Sequence, residues 1–188
     1  MSTYSILGLC GSLRAKSLNM AALKAAGEQM PAGMTLTIAT FDDMPIYNQD
    51  VQEKGWPASV ERVRAQVAAA DAVIMANPEY NWSVGAPLKN VIDWLSRLKE
   101  QPFQDKPVAM ISATGGPVGG VRGQLDLRRI LTTLGGQVLV RPEVFIGSAA
   151  GKFSPDGKLT DEVTRKFLTE QMLGLRDLID RTKRAVAK

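Results

Sequence analysis

Ser12, Arg14, Ser17 and Asn19 stand close together between an apolar run, Ile6 to Cys10, and a helical pattern that begins near Met20. A strand, a polar turn and a helix in such quick succession aim the first N–H groups of the helix, and the positive end of its dipole, at the turn. Hydroxyl, guanidinium and amide donors in that turn match the oxygens of a phosphate group. A small phosphorylated ligand is the reading this segment favours. Plain capping by Ser17 and Asn19, with Arg14 a solvated charge, is the alternative it leaves open.

Two further loops carry chemistry. Pro78-Glu79-Tyr80-Asn81-Trp82-Ser83-Val84-Gly85-Ala86-Pro87 leaves an apolar run through two aromatics, two prolines and a glycine, a composition that offers a flat wall to a ring system and exposed N–H groups to its heteroatoms. Packing of Tyr80 and Trp82 into the core or a subunit contact is the competing reading. Ser112-Ala113-Thr114-Gly115-Gly116-Pro117-Val118-Gly119-Gly120 is a glycine-rich turn where a ligand approaches backbone closely. Gly115 and Gly120 have Walker A spacing, but Val121-Arg122 stands where that motif needs Lys-Ser/Thr, and no Gly-x-Gly-x-x-Gly follows the first strand. A nucleoside triphosphatase and an ordinary dinucleotide fold are both disfavoured.

The chain has no histidine and one cysteine, Cys10, so Ser-His-Asp and Cys-His mechanisms and a zinc-type ligand cluster are excluded, as is an internal disulfide. No metal is expected. Asp42-Asp43 and Glu79 read as solvated or capping acids, and Lys89, Asp93 and Arg97 as an ion-pair ladder on one helix. The net charge is +4 at pH 7, with Lys and Arg scattered instead of gathered into a stripe, which gives nucleic-acid binding little support. The longest apolar runs fall far short of the roughly 20 residues that cross a bilayer, so no membrane partner is expected. Met1-Ser2-Thr3-Tyr4 has no basic region of the kind that opens a signal peptide, and a cytoplasmic location is expected.

The elements that must position these loops alternate. Strand-like runs at Tyr4–Cys10, Met34–Thr40, Ala72–Asn77, Pro107–Thr114 and Gln137–Val140 are interleaved with amphipathic segments at Leu18–Met30, Pro57–Ala70, Pro87–Leu98, Val118–Leu134 and Thr160–Thr182. Continuous apolar runs such as Val73-Ile74-Met75-Ala76 are expected where both faces of a sheet are covered. This predicts one α/β domain over residues 1–188, a three-layer sandwich with a five-stranded parallel sheet and helices on both faces. Short connections fit the order 2-1-3-4-5, which places the three loops on one rim.

Gly11-Ser12-Leu13-Arg14 with Ser17-Leu18-Asn19, Pro78-Glu79-Tyr80-Asn81 with Leu88-Lys89-Asn90-Val91-Ile92-Asp93-Trp94, and the Gly115–Gly120 loop together resemble the NADPH-dependent FMN reductase family, in its bacterial quinone and chromate reductase branch. The resemblance runs through almost the whole chain. It implies a flavodoxin-like fold, noncovalent FMN, NAD(P)H as co-substrate and a homodimer or homotetramer. Ser12, Arg14, Ser17, Leu18 and Asn19 would hold the FMN phosphate. Pro78, Glu79, Tyr80, Asn81 and Thr114, with Ser112 and Gly115 nearby, would border the isoalloxazine. The implied reaction passes a hydride from NAD(P)H to FMN and two electrons to a quinone or similar small-molecule acceptor, among them chromate, ferric complexes or azo compounds. No side-chain catalyst is required, because the cofactor carries the chemistry. A flavodoxin-like electron carrier without NAD(P)H turnover is the alternative. Trp82, where many relatives carry Tyr or another residue, and Pro117, which stiffens the third loop, bear on the choice of acceptor.

Overall fold

A computed structural model describes residues 3–186. β1 (Tyr4–Cys10), β3 (Ala72–Ala76) and β6 (Pro107–Ala113) form the centre of a parallel sheet, flanked by β2 (Met34–Ile38) beside β1 and by β7 (Gln137–Val138) and β8 (Val144–Ile146) beside β6. Every residue of β3 and β6 is buried, as strands covered on both faces require, whereas the edge strand β2 has exposed Thr35 and Thr37. The element order and short crossovers define a flavodoxin-like α/β fold.

The expected order 2-1-3-4-5 holds for positions across the sheet, but the expected five strands are six. The fifth position is split: Leu139 to Glu143 stand opposite only Ala109 and Met110, so the edge bulges out between β7 and β8. Pro142, inside the bulge, has no N–H to give to a ladder. The carbonyls left there are capped by a helix packed on β6 and β8, whose buried Gln171 Nε2 donates to Met110 O at 3.0 Å and Pro142 O at 3.2 Å.

Two helices cover one face and three the other. On the first, α1 (Leu18–Glu28) and the long α6 (Glu162–Val186) bury Leu23, Leu168, Met172 and Ile179 against Ile6, Ile74 and Ile111. On the second, α3 (Ala58–Ala69), α4 (Ala86–Leu95) and α5 (Val121–Thr133) bury Val63, Leu88, Trp94 and Leu127 against Leu9, Met75 and Met110. Trp94 is wholly buried, with Tyr47 edge-on at 5.0 Å and its indole Nε1 donating to Pro45 O at 2.8 Å, so it is a core residue and supports no subunit contact. Truncating a ring packed in this way costs about 3–5 kcal/mol.

The helices after β1, β3 and β6 end one to three residues before the apolar pattern suggests, whereas α4 starts one residue early, at Ala86, and α6 runs from Glu162 on to Val186. α5 begins at Val121 instead of Val118, because Gly119 and Gly120 adopt φ of 70° and 85°, a left-handed backbone that cannot continue into a right-handed helix. A short helix, α2 (Gln49–Gln52), and a two-stranded hairpin, β4 (Glu79–Tyr80) with β5 (Ser83–Val84), were not legible as elements.

Candidate functional site

The loops after β1, β3 and β6 meet on the rim formed by the carboxyl ends of those strands. Gly11 ends β1, its N–H donating to Ala76 O at 2.9 Å, and a Cβ there would lie 2.8 Å from Pro78 Cδ and 3.0 Å from Leu88 Cβ. Only glycine lets the first loop lie this close to the second. Ser17 then caps α1, its Oγ accepting from Met20 N at 3.1 Å. The N–H groups of Leu18 and Asn19, in the first helical turn, have no intrahelical acceptor.

Asn19 has a different task from the one its amide suggests. Its Nδ2 donates to Ala113 O at 2.9 Å and its Oδ1 accepts from Ala113 N at 3.0 Å, so the side chain clamps the start of α1 to the end of β6. Ser12 is nearly buried and Arg14 is exposed. Below them Cys10 is buried, with Sγ 3.6 Å from Ser12 O and 4.0 Å from Ser17 Oγ. Burial pushes its thiol up from the ordinary value, and those two hydrogen bonds offset the shift only in part.

The second loop folds back as the β4–β5 hairpin, whose two turn residues, Asn81 and Trp82, both have positive φ, 50° and 67°. Asparagine tolerates this conformation, but for tryptophan it is strained. Contacts to α5 hold the hairpin: Gly123 N donates to Glu79 Oε2 at 2.9 Å, the Arg122 guanidinium lies 3.9 Å from Glu79 and 4.3 Å from the centre of the Trp82 ring, and Ser83 Oγ donates to Asp126. That bond and the Arg129 guanidinium hold the Asp126 carboxyl below its usual range. The exposed Tyr80 and Trp82 therefore sit on a fixed support.

In the third loop Thr114 N donates to Ile146 O at 3.0 Å and Ala149 N to Thr114 O at 2.9 Å. Ser112 lies beneath: its hydroxyl donates to Gly119 O at 2.5 Å and accepts from Gln124 Nε2 at 2.7 Å, while that amide also reaches Val144 O at 2.9 Å. A Cβ built on Gly115 or Gly116 meets no protein atom within 4 Å. Protein packing does not require glycine there, so the open backbone faces whatever the loop borders.

One cavity of about 170 Å³ joins the three loops, lined by Ser12, Arg14, Ser17, Leu18, Asn19, Pro78, Glu79, Tyr80, Thr114 and Gly115, with Ala113 between them. Of the residues expected at the site, Asn81 and Ser112 are outside this lining: Asn81 is on the exposed hairpin turn, and Ser112 supports the third loop from within. Sequence reasoning missed Ala113, whose backbone is the anchor, and Gln124, a polar residue buried in an otherwise amphipathic helix. Only the second left a signal. Pockets that enclose a drug-sized ligand run to roughly 300–1,000 Å³, so a ligand seated here keeps part of its surface outside.

Backbone donors and an arginine at one end, and an open glycine backbone and a tyrosine at the other, suit a molecule with a phosphate and a flat ring. Together with the doubly wound parallel sheet they define a flavodoxin-like flavoprotein. The sequence profile of the NADPH-dependent FMN reductase family matches residues 4–151, and the chain belongs to that family. Its members include enzymes that use NAD(P)H and FMN, and this chain is an oxidoreductase of that kind. It is 45% identical over 170 residues to an NAD(P)H-dependent FMN reductase of Pseudomonas aeruginosa, covering 90% of this chain and 92% of that one. It is 40% identical over 181 residues to a quinone reductase of Escherichia coli K12, covering 95% and 96%. Among solved structures it is similar to FerB, a flavoenzyme NAD(P)H:(acceptor) oxidoreductase from Paracoccus denitrificans, with a TM-score of 0.87, 31% identity and coverage of 96% and 99%.

Proposed function

We propose that the protein reduces quinones with NAD(P)H through FMN held in the cavity shared by the three loops. The observation that carries this reading is that one cavity is lined by residues of all three loops, donors at one end and a ring wall at the other. FMN held there would supply the redox chemistry, hydride uptake from NAD(P)H and two-electron reduction of the acceptor.

The chain's own residues bind and orient. Ser12, Arg14 and Ser17 and the free N–H groups at the start of α1 hold the phosphate. Asn19 fixes that helix end relative to β6, so the phosphate donors keep their distance from the ring wall. Pro78, Glu79 and Tyr80 on one side and Thr114 and Gly115 on the other border the ring, with Asn81 at the hairpin turn and Ser112 supporting from beneath. The cavity is smaller than pockets that enclose a drug-sized ligand, which would leave part of a bound flavin accessible to the nicotinamide and then to a flat quinone. Chromate, ferric complexes and azo compounds are further acceptors the open face would admit.

A homodimer or homotetramer fits the exposed apolar side chains near the site, Trp82, Val118 and Leu125. No helix among the described residues is long and apolar enough to cross a membrane, and a cytoplasmic location agrees with that and with the single buried cysteine.

The test is an absorption spectrum of the purified protein after FMN addition and desalting, then after anaerobic NAD(P)H, then after a quinone. Retained yellow colour that is bleached by the nucleotide and restored by the quinone is expected. Colour unaffected by both nucleotides identifies a carrier, and no retained flavin refutes the site. Sedimentation at 20.3 kDa would refute the oligomer.

A further inference from the structure

A second cavity, about 410 Å³, lies between the outer face of α1 and the segment 150–157, which follows β8. Ser17 and Leu18 line both cavities, while Pro78, Glu79, Tyr80 and Gly115 line only the smaller one. The groove thus opens from the phosphate end of the flavin site and has no contact with the ring end.

Its chemistry is mixed. Lys16 and Lys24 flank the α1 wall, and Met20, Phe153 and Pro155 supply apolar surface. The one carboxylate on the opposite wall, Asp156, is engaged by the Ser154 hydroxyl at 2.5 Å and the Lys158 ammonium at 3.5 Å. That wall is preformed: Ser154 N donates to Lys158 O at 2.8 Å, Thr160 N to Lys152 O at 2.9 Å, and Phe153 pairs with Leu159. At one end of the groove the two walls nearly meet, since a Cβ on Gly157 would lie 4.0 Å from Ala21 Cβ, ordinary contact distance. The volume lies within the range of small-molecule pockets, and two ammonium groups beside an apolar floor suit a phosphorylated nucleoside.

We propose that this groove receives the adenylate half of FAD, so that the protein binds FAD as well as FMN. The inference rests on the flavin reading of the smaller cavity. Position selects the ligand: a group joined to the flavin through its phosphate leaves the first cavity past Ser17 and Leu18, straight into the groove. The adenosine of NAD(P)H is tied instead to a nicotinamide that must reach the ring end.

The experiment strips flavin from the full chain and titrates FMN and FAD separately, reading flavin fluorescence, in the wild type, Lys24→Glu and Ala21→Phe. Lys24 and Ala21 border the groove and are absent from the flavin cavity; the first variant reverses a charge and the second puts a ring into the groove beside the point where α1 and Gly157 nearly meet. The expected result is an FAD affinity within about tenfold of that for FMN. Each variant should weaken FAD by about fivefold or more and leave FMN within about twofold. FMN binding without FAD binding, or equal loss of both flavins in the variants, overturns the proposal. A raised KM for NADPH in Lys24→Glu with both flavin affinities unchanged assigns the groove to the pyridine nucleotide and overturns it too. Failure of the wild type to bind either flavin overturns the flavin reading itself.

Discussion

Removing the Asn19 side chain tests the architecture of the site without touching a proposed phosphate donor side chain. In Asn19→Ala the backbone N–H and C=O of Ala113 both lose their partner at a residue that is 4% exposed. An orphaned buried polar group costs about 1–3 kcal/mol, so two would reach roughly 6 at most. Water entering from the adjoining cavity relieves part of this, and the freed helix end recovers some conformational entropy. The expected loss is about 2–4 kcal/mol, read as a lowered urea midpoint at unchanged m-value in the flavin-free protein. Asn19→Asp sharpens the test. It keeps the acceptor for Ala113 N–H but sets a carboxylate oxygen against the Ala113 carbonyl at a 4%-exposed position, a cost that the helix dipole offsets only in part, and the same charge repels a phosphate. Aspartate should therefore be no more stable than alanine at pH 7 and bind FMN more weakly. A loss below about 1 kcal/mol in Asn19→Ala, or an Asn19→Asp variant as stable as the wild type at pH 7, would refute the clamp.

Arg14→Ala should weaken FMN by about 1–3 kcal/mol, the range of charge-assisted hydrogen bonds, and an unchanged dissociation constant would remove Arg14 from the site. At the opposite end of the sheet, burial works against the charged form of Asp71, but Lys183 at 2.6 Å and Ser5 N at 2.8 Å outweigh it and hold the carboxyl below its ordinary range. A depressed folded pKa means stability present above the unfolded carboxylate range, near 4, and lost as pH falls through the lower folded value. The difference in urea midpoint between wild type and Asp71→Asn should be constant near pH 7 and shrink below pH 4; a difference that grows on acidification would contradict the pair. Cys10, buried beneath the phosphate turn with its thiol pushed up, should react slowly with an aromatic disulfide reagent in the native protein, faster in urea, and slower still once FMN is bound. Full labelling of the native protein on mixing would overturn that placement. Trp82→Gly should leave stability nearly unchanged, since relief of a left-handed tryptophan, about 1 kcal/mol, offsets the lost guanidinium stack, about 0.5–1 kcal/mol. A loss above about 2 kcal/mol would show that Trp82 packs more deeply.

The sequence by itself determined the alternation of strands and helices and the three loops that carry the chemistry. Apolar runs long enough only for strands, such as Val73 to Ala76, and helix openings marked by Ser17 and Pro87, are local signals that burial and capping impose wherever the segment ends up. Residue types in those loops named a phosphate and a flat ring before any contact was known. The tertiary structure decided which of the donors are free. Both Ser17 and Asn19 line the cavity, but Ser17 caps its own helix, whereas the Asn19 amide pairs with the backbone of a strand ninety-four positions away in the chain, a pairing no local pattern encodes. The split of the fifth strand is of the same kind. Pro142 signals an interruption, but it is the buried Gln171 amide from α6, donating to the Met110 and Pro142 carbonyls, that makes the interruption tolerable. Trp94 shows the converse: an aromatic on an amphipathic helix looks equally suited to a core or an interface, and its depth against Tyr47 and Pro45 is set by how α4 packs on the sheet. Long-range partners satisfy buried polar groups and bury apolar faces, and those partners exist only once the chain has closed on itself.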